Sequence, residues 1–223
     1  GKTTTMSGLR AAWERAFGPG SVVGLAPSAA AADVLADELG ITTENTAKWL
    51  YDHAHAGLDL REGQLVILDE ASLAGTLALS TIAQHAAAVG AKVLLAGDPA
   101  QLDAVDAGGT FGLVVRSRDD APTLLDVRRF HAEWERRASL RLRLGDPQVL
   151  GAYEAHERSG AGEHEAMLDA LYEAWRADLT AGLASLMIAE THDAVAELNG
   201  RARLDRIRAG LVDPTGAMRL VDG

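Results

Sequence analysis

The stretch that most constrains this fold is QLVILDEAS, residues 64–72. Leu65, Val66, Ile67 and Leu68 are apolar without alternation and run into two adjacent carboxylates, Asp69 and Glu70. A strand with one wet face alternates, so an unbroken apolar run predicts a strand covered on both faces, as in the middle of a parallel α/β sheet. Two acids at its end are costly unless a cation, a donor or a functional demand compensates their lost hydration. The pair therefore points to metal chemistry at the carboxyl edge of the sheet, where open α/β sheets bind ligands. The plain alternative is a strand passing into a helix whose first turn favours acids.

Three other stretches bear on that edge. Gly1-Lys2-Thr3-Thr4-Thr5 matches the last part of the phosphate-binding loop G-x-x-x-x-G-K-[ST], whose lysine reaches the β and γ phosphates and whose hydroxyl ligates Mg²⁺. Met6, Leu9, Ala12, Trp13 and Ala16 follow at helical spacing, so the triplet opens a helix as such a loop must. Residues 21–26 (SVVGLA) predict a second buried strand, with Ser28 as N-cap of a helix over 29–39 that Gly40 ends. Residues 91–96 (AKVLLA) predict a third strand, running into the turn GDPAQL with Asp98 and Gln101. An amide such as that of Gln101 can reach a γ-phosphate or an attacking water. Lys2, Asp69, Glu70, Asp98 and Gln101 are thus expected at one sheet edge.

Elsewhere, residues 42–46 are polar and read as a loop, 57–63 as mostly solvated, and 77–89 as a helix stopped by Gly90. His53-x-His55 sits on a predicted helix, where neighbouring rings diverge, so both are expected to be surface or hydrogen-bonded histidines. Residues 128–143 hold six arginines against two acids, with Trp134, Ala138 and Leu142 four apart as a core face. Arginines 136–143 read as a solvated face paired with nearby acids. Leu168, Leu171, Tyr172, Trp175 and Leu179 predict an amphipathic helix, 185–189 (SLMIA) a last strand, and Val195, Leu198 and Ala202 a final helix.

Composition narrows the partners. The chain has 223 residues, 48% hydrophobic and 24% charged, as in a globular protein of one domain or one domain plus part of another. A net charge of −11 argues against generic adhesion to nucleic acid or to an anionic membrane, but leaves room for a local basic channel. There is no cysteine, no run long enough to span a bilayer, and no signal-peptide pattern in residues 1–7. The expected compartment is the cytoplasm.

Taken together, the ordered motifs resemble the helicase part of conjugative relaxase/helicases of the TraI/TrwC type, superfamily 1 motors with a RecD-like core. GKTTT resembles the end of motif I, GLAPSAAAADVL motif Ia, VILDEAS motif II and LLAGDPAQLDAV motif III, and the likeness covers nearly the whole chain. The resemblance implies a RecA-like P-loop NTPase fold, with a mostly parallel sheet flanked by helices and the start of a second RecA-like domain. Its implied boundaries are 1–127 for the first domain, lacking its first strand and half of the phosphate loop, 128–183 for a helical connector, and 184–223 for the truncated second domain. The implied cofactors are ATP and Mg²⁺, and the implied partners are single-stranded DNA and proteins of the conjugation machinery.

By the same resemblance Gly1, Lys2, Thr3 and Thr4 bind nucleotide, and Thr3 with Asp69 holds Mg²⁺. Glu70 orients and deprotonates the attacking water, Gln101 senses the γ-phosphate, and Arg129, or else Arg128, is the motif IV arginine finger. Pro27, Ser28 and Thr46 fall where related motors touch single-stranded DNA. Relatives carry motifs V and VI further on and a relaxase domain upstream, and neither is found in this sequence. Two other readings stay open: a non-catalytic remnant serving as a binding or scaffold module, and a P-loop ATPase that is not a helicase.

Overall fold

The computed structural model describes residues 1–57, 60–101, 104, 107–124, 127 and 130–213. In chain order the elements are α1 (Lys2–Phe17), β1 (Val22–Ala26), α2 (Ala29–Leu39), β2 (Thr42–Asn45), α3 (Thr46–Ala56), β3 (Leu65–Leu68), α4 (Thr76–Val89), β4 (Lys92–Leu95), α5 (Thr110–Arg116), α6 (Glu133–Arg143), α7 (Leu150–Ala155), α8 (His164–Thr180) and α9 (His192–Arg208). The strands form a wholly parallel four-stranded sheet in the order β2-β1-β3-β4.

β3 lies inside that sheet, and none of its four residues is more than 3% exposed. Val66 and Leu68 join Leu25, Trp49, Leu79, Ile82 and Phe111 in one core, while Leu65 and Ile67 join Met6, Val22, Leu35 and Leu39 in the other. Alternate side chains thus serve opposite faces, each covered by helices. Such a side chain gains about 1.5–3 kcal/mol by leaving water, which explains the unbroken apolar run.

Parallel pairing aligns the strand ends. Val22 is opposite Leu65 and Leu65 opposite Lys92, so β1, β3 and β4 finish level. The Asp69 N–H continues the ladder to the Leu25 carbonyl at 2.8 Å, and the Ala96 N–H to Leu68 at 2.9 Å. α2 begins and ends as its sequence predicts. Ser28 Oγ accepts from the Ala31 N–H, and Gly40 takes the left-handed conformation at φ 59°.

Three sequence expectations need correction. Among the described residues, 42–45 are not a loop but the edge strand β2, which is polar, with Thr42 exposed and the other three residues only partly buried. Leu60, inside a stretch expected to be solvated, is 6% exposed in the core beside Trp49. Residues 185–189 form no β-ladder among the described residues. Met187 and Ala189 pack on the helices while Leu186 and Ile188 are 88% and 84% exposed, so the strand-like alternation is present without a partner to make it a strand.

The chain divides into two compact units, Gly1–Val149 and Leu150–Gly223. In the second, α8 and α9 share a small core of Leu168, Tyr172, Ala194 and Leu198. The Tyr172 hydroxyl donates to Asp205 at 2.9 Å and the Trp175 indole to the Ser185 carbonyl at 3.2 Å. No helix among the described residues is long and apolar enough to cross a membrane.

Candidate nucleotide-binding site

The site begins where β3 ends. Lys2 stands at the first position of α1, and its Nζ lies 2.6 Å from Asp69 Oδ1 and 3.1 Å from Glu70 Oε1. Asp69 Oδ1 also accepts the Glu70 N–H at 2.9 Å, so the Asp69 carboxylate is compensated twice over. Burial works to lower the pKa of Lys2, but the hydrogen bonds and charges of Asp69 and Glu70 outweigh it and hold the ammonium above its ordinary value. Lys2 is therefore a permanent cation at neutral pH. It stands at a helix N-terminus, where unpaired N–H groups favour an anion.

Glu70 adopts φ 49° and ψ 46°, a left-handed conformation costly for any residue with a Cβ. The chain needs that bend to leave the strand and enter the 3₁₀ turn Ala71–Leu73. Strain of this kind is concentrated at functional sites.

The GDPAQL turn is stitched to this bend. Ala71 N–H donates to Ala96 O at 2.8 Å and Ala104 N–H to Ser72 O at 3.1 Å. A Cβ on Gly97 would stand 3.1 Å from the backbone nitrogens of Ala71 and Ser72, a contact so tight that any larger residue would push the two segments apart by a few tenths of an ångström. Beyond it, Asp98 accepts from the Ala100 N–H and from the guanidinium of Arg143 on α6. The Arg143 hydrogen bond is the main cause holding the Asp98 carboxyl below its ordinary value; burial opposes it, and the side chain of Gln101 contributes least.

Other predicted residues are placed differently. The Thr3 hydroxyl donates to Glu38 on α2 at 2.9 Å and is not directed at Asp69. The Thr46 hydroxyl is buried and donates to the Ala26 carbonyl at 2.9 Å, so it secures the end of β1 rather than facing a ligand. Pro27 is partly exposed and Ser28 exposed at the same strand end. Gly1 and Thr4 lie at the exposed start of α1. Arg128 and Arg129 lie outside the described residues.

On α6, Arg136 and Arg137 pair with Glu133, and Arg141 with Asp146. These three are local surface pairs of the expected kind. Leu142, expected in the core, is 48% exposed, whereas Ala138 is buried. His55 Nδ1 is 2.8 Å from the Tyr51 carbonyl, and His53 stacks on Trp49 and meets His85. Sequence reasoning missed the role of Arg143, because its partner lies 45 positions away and no periodicity connects them.

A divalent ion bound with nucleotide keeps several waters and takes one or two protein oxygens, so it needs no prebuilt cage. Asp69, whose side chain is 16% exposed, supplies one hard oxygen beside the lysine, and that donor set fits magnesium-nucleotide.

A parallel sheet flanked by helices, with a helix-opening lysine meeting acids at a strand end, defines a P-loop ATPase domain of the AAA/RecA-like class. The family model described as an AAA domain matches residues 1–164, and the chain belongs to that family. Among individual proteins, it is 33% identical over 226 residues to the conjugal transfer protein TraA of Rhizobium radiobacter, covering 100% of this chain and 20% of the relative. It is 31% identical over 225 residues to the probable conjugal transfer protein TraA of Sinorhizobium fredii, and 30% over 226 to that of Agrobacterium fabrum, with the same shares. The chain thus spans about one fifth of the length of the curated relatives it matches.

Proposed function

We propose that this chain is the ATP-hydrolysing part of a conjugal-transfer helicase, coupling hydrolysis to movement along single-stranded DNA, 5′ to 3′, in the cytoplasm. The observation that carries the reading is the Lys2 ammonium bridging Asp69 and Glu70 at the carboxyl end of β3. A cation so placed has anionic partners only until a triphosphate competes for it. With nucleotide bound, Lys2 would face the β and γ phosphates, leaving Asp69 to hold a metal and Glu70 to accept a proton. Magnesium, when bound, neutralises phosphate charge and orients the leaving group. Asp69 would hold it, joined by Thr3 once its hydroxyl leaves Glu38.

Glu70 orients and deprotonates the attacking water, with its strained backbone fixing the carboxylate. Gln101, on a turn stitched to the residues after Glu70, senses the γ-phosphate, and Arg129 spreads transition-state charge as a finger. Pro27 and Ser28, at the end of β1, offer the DNA contact in this reading, with Thr46 bracing them from beneath. The regions 1–127, 128–183 and 184–223 act as nucleotide domain, connector and start of a second motor domain.

The test is ATP hydrolysis by the full-length protein with and without single-stranded DNA. Lys2→Ala and Glu70→Gln should each lower turnover by about 10²-fold or more. Normal hydrolysis by both would sink the site assignment. Intact hydrolysis indifferent to DNA would sink the helicase part and leave an ATPase.

A further inference from the structure

Arg143 differs from its neighbours on α6. Arg136, Arg137 and Arg141 pair with acids of their own helix or its immediate end, as exposed helical arginines commonly do. Arg143 instead reaches a residue 45 positions back in the chain. Its Nε lies 3.0 and 2.9 Å from the two oxygens of Asp98, and its Nη2 donates to the first of them. A planar guanidinium held at two nitrogens fixes orientation as well as distance.

What it fixes is the turn that carries Gln101. Asp98 also accepts the Ala100 N–H at 3.0 Å, and its own carbonyl accepts the Gln101 N–H at 3.1 Å. The Asp98 carboxylate thus joins α6 to the Ala100 N–H, while the Asp98 carbonyl holds the Gln101 N–H. On its other side the turn is tied by the Ala71 N–H bond to the Ala96 carbonyl and the Ala104 N–H bond to the Ser72 carbonyl, with Gly97 lying close to Ala71 and Ser72. Without Arg143 the turn loses its tie to α6, and Asp98 keeps only the Ala100 N–H and the side chain of Gln101 as partners, near the edge expected to receive a triphosphate.

Resting on the functional reading above, the geometry points to Arg143 as a positioning residue that clamps the 97–101 turn, through Asp98, so that Gln101 is aimed at the γ-phosphate. It touches no reacting atom. Its effect is on the fraction of time the amide is in place, and it falls on turnover rather than on nucleotide affinity.

The experiment compares wild type, Arg143→Ala, Arg143→Lys, Asp98→Asn and the double variant Asp98→Asn/Arg143→Ala in the full-length protein. Two readouts are taken: hydrogen exchange of the peptide covering 97–101, with β3 as internal control, and steady-state ATP hydrolysis with single-stranded DNA. Arg143→Ala should speed exchange of that peptide at least about threefold with β3 unchanged. It should lower kcat at least about fivefold while the KM for ATP stays within about twofold. Lysine should restore little, lacking the fork, and the double variant should be no worse than Asp98→Asn because both act through one contact. Unchanged exchange, unchanged kcat, or additive losses in the double variant would each overturn the proposal. Normal hydrolysis by Lys2→Ala and Glu70→Gln would overturn the functional reading instead, and the exchange arm reports on the clamp in either case.

Discussion

At the scale of single residues, the most informative conformation is that of Glu70. A side chain in the left-handed region costs about 1–2 kcal/mol, and here it is held by the Ala71 N–H bond to Ala96 and by the turn that follows. Glycine would remove that cost while adding about 0.5–1 kcal/mol of backbone entropy to be lost on folding. Glu70→Gly is therefore expected to be as stable as wild type, or more so by up to about 1 kcal/mol, in urea unfolding, while hydrolysing no ATP. Glu70→Gln keeps the strain and should lose activity without gaining stability. A Glu70→Gly protein destabilised by more than about 1 kcal/mol would show that the bend is not strained in the manner described. The hydroxyls tell a parallel story, since those of Thr3 and Thr46 already have partners in Glu38 and the Ala26 carbonyl. Residue type and motif position nominate a hydroxyl, but what it bonds depends on contacts 20 to 35 positions away in the chain.

At the scale of elements, the closest fit is between β1, β2 and α2. A Cβ on Gly24 would stand 2.6 Å from Thr43 Cγ2, 2.9 Å from Leu35 Cδ2 and 3.3 Å from Ile41 Cδ1. Thr43 cannot simply rotate away, because it is β-branched and its hydroxyl is bonded to the Ala32 carbonyl at 2.7 Å. Gly24→Ala should therefore cost about 1–3 kcal/mol of unfolding free energy by overpacking. Thr43→Ser removes the offending methyl and keeps the hydroxyl, so added to Gly24→Ala it should recover most of the loss. A double variant as unstable as the sum of its parts would place the strain elsewhere. The same junction shows what the sequence could reveal. β3 and β1 were legible because strands inside a doubly covered sheet must be largely apolar, β4 because Val93, Leu94 and Leu95 still pack against the two cores, and α2 because Ser28 and Gly40 mark its ends. β2 was not, since an edge strand of Thr42, Thr43, Glu44 and Asn45 is chemically a loop until β1 pairs with it. The convergence of Lys2 on Asp69 was likewise legible from motif order, whereas the Arg143 clamp rests on packing that no local pattern encodes.

At the scale of the whole chain, a net charge of −11 means that the attraction to DNA proposed above would have to come from a few placed groups rather than from the overall field. Stability is divided too, because each compact unit carries its own core. Residues 158–163 carry no helix or strand and are exposed, so a chain ending at Ser159 loses no buried side chain of the first unit, including Val149 at 0% exposure. That piece retains the four-stranded sheet, both of its cores, the Lys2–Asp69 contact and the Asp98–Arg143 clamp. A core that is complete within one unit should unfold cooperatively without the other. The 1–159 piece is therefore expected to show a single urea transition, at a midpoint within about 0.5 M of the corresponding transition in the longer chain and with an m-value reduced in proportion to its smaller buried area. Lys2→Ala in that piece should leave the midpoint nearly unchanged, since a partly exposed ion pair adds little to folding, yet weaken nucleotide binding. A piece that is aggregated or non-cooperative would mean that the sheet depends on contacts supplied beyond residue 159. The candidate nucleotide site would then depend on more of the chain than the unit that carries its residues.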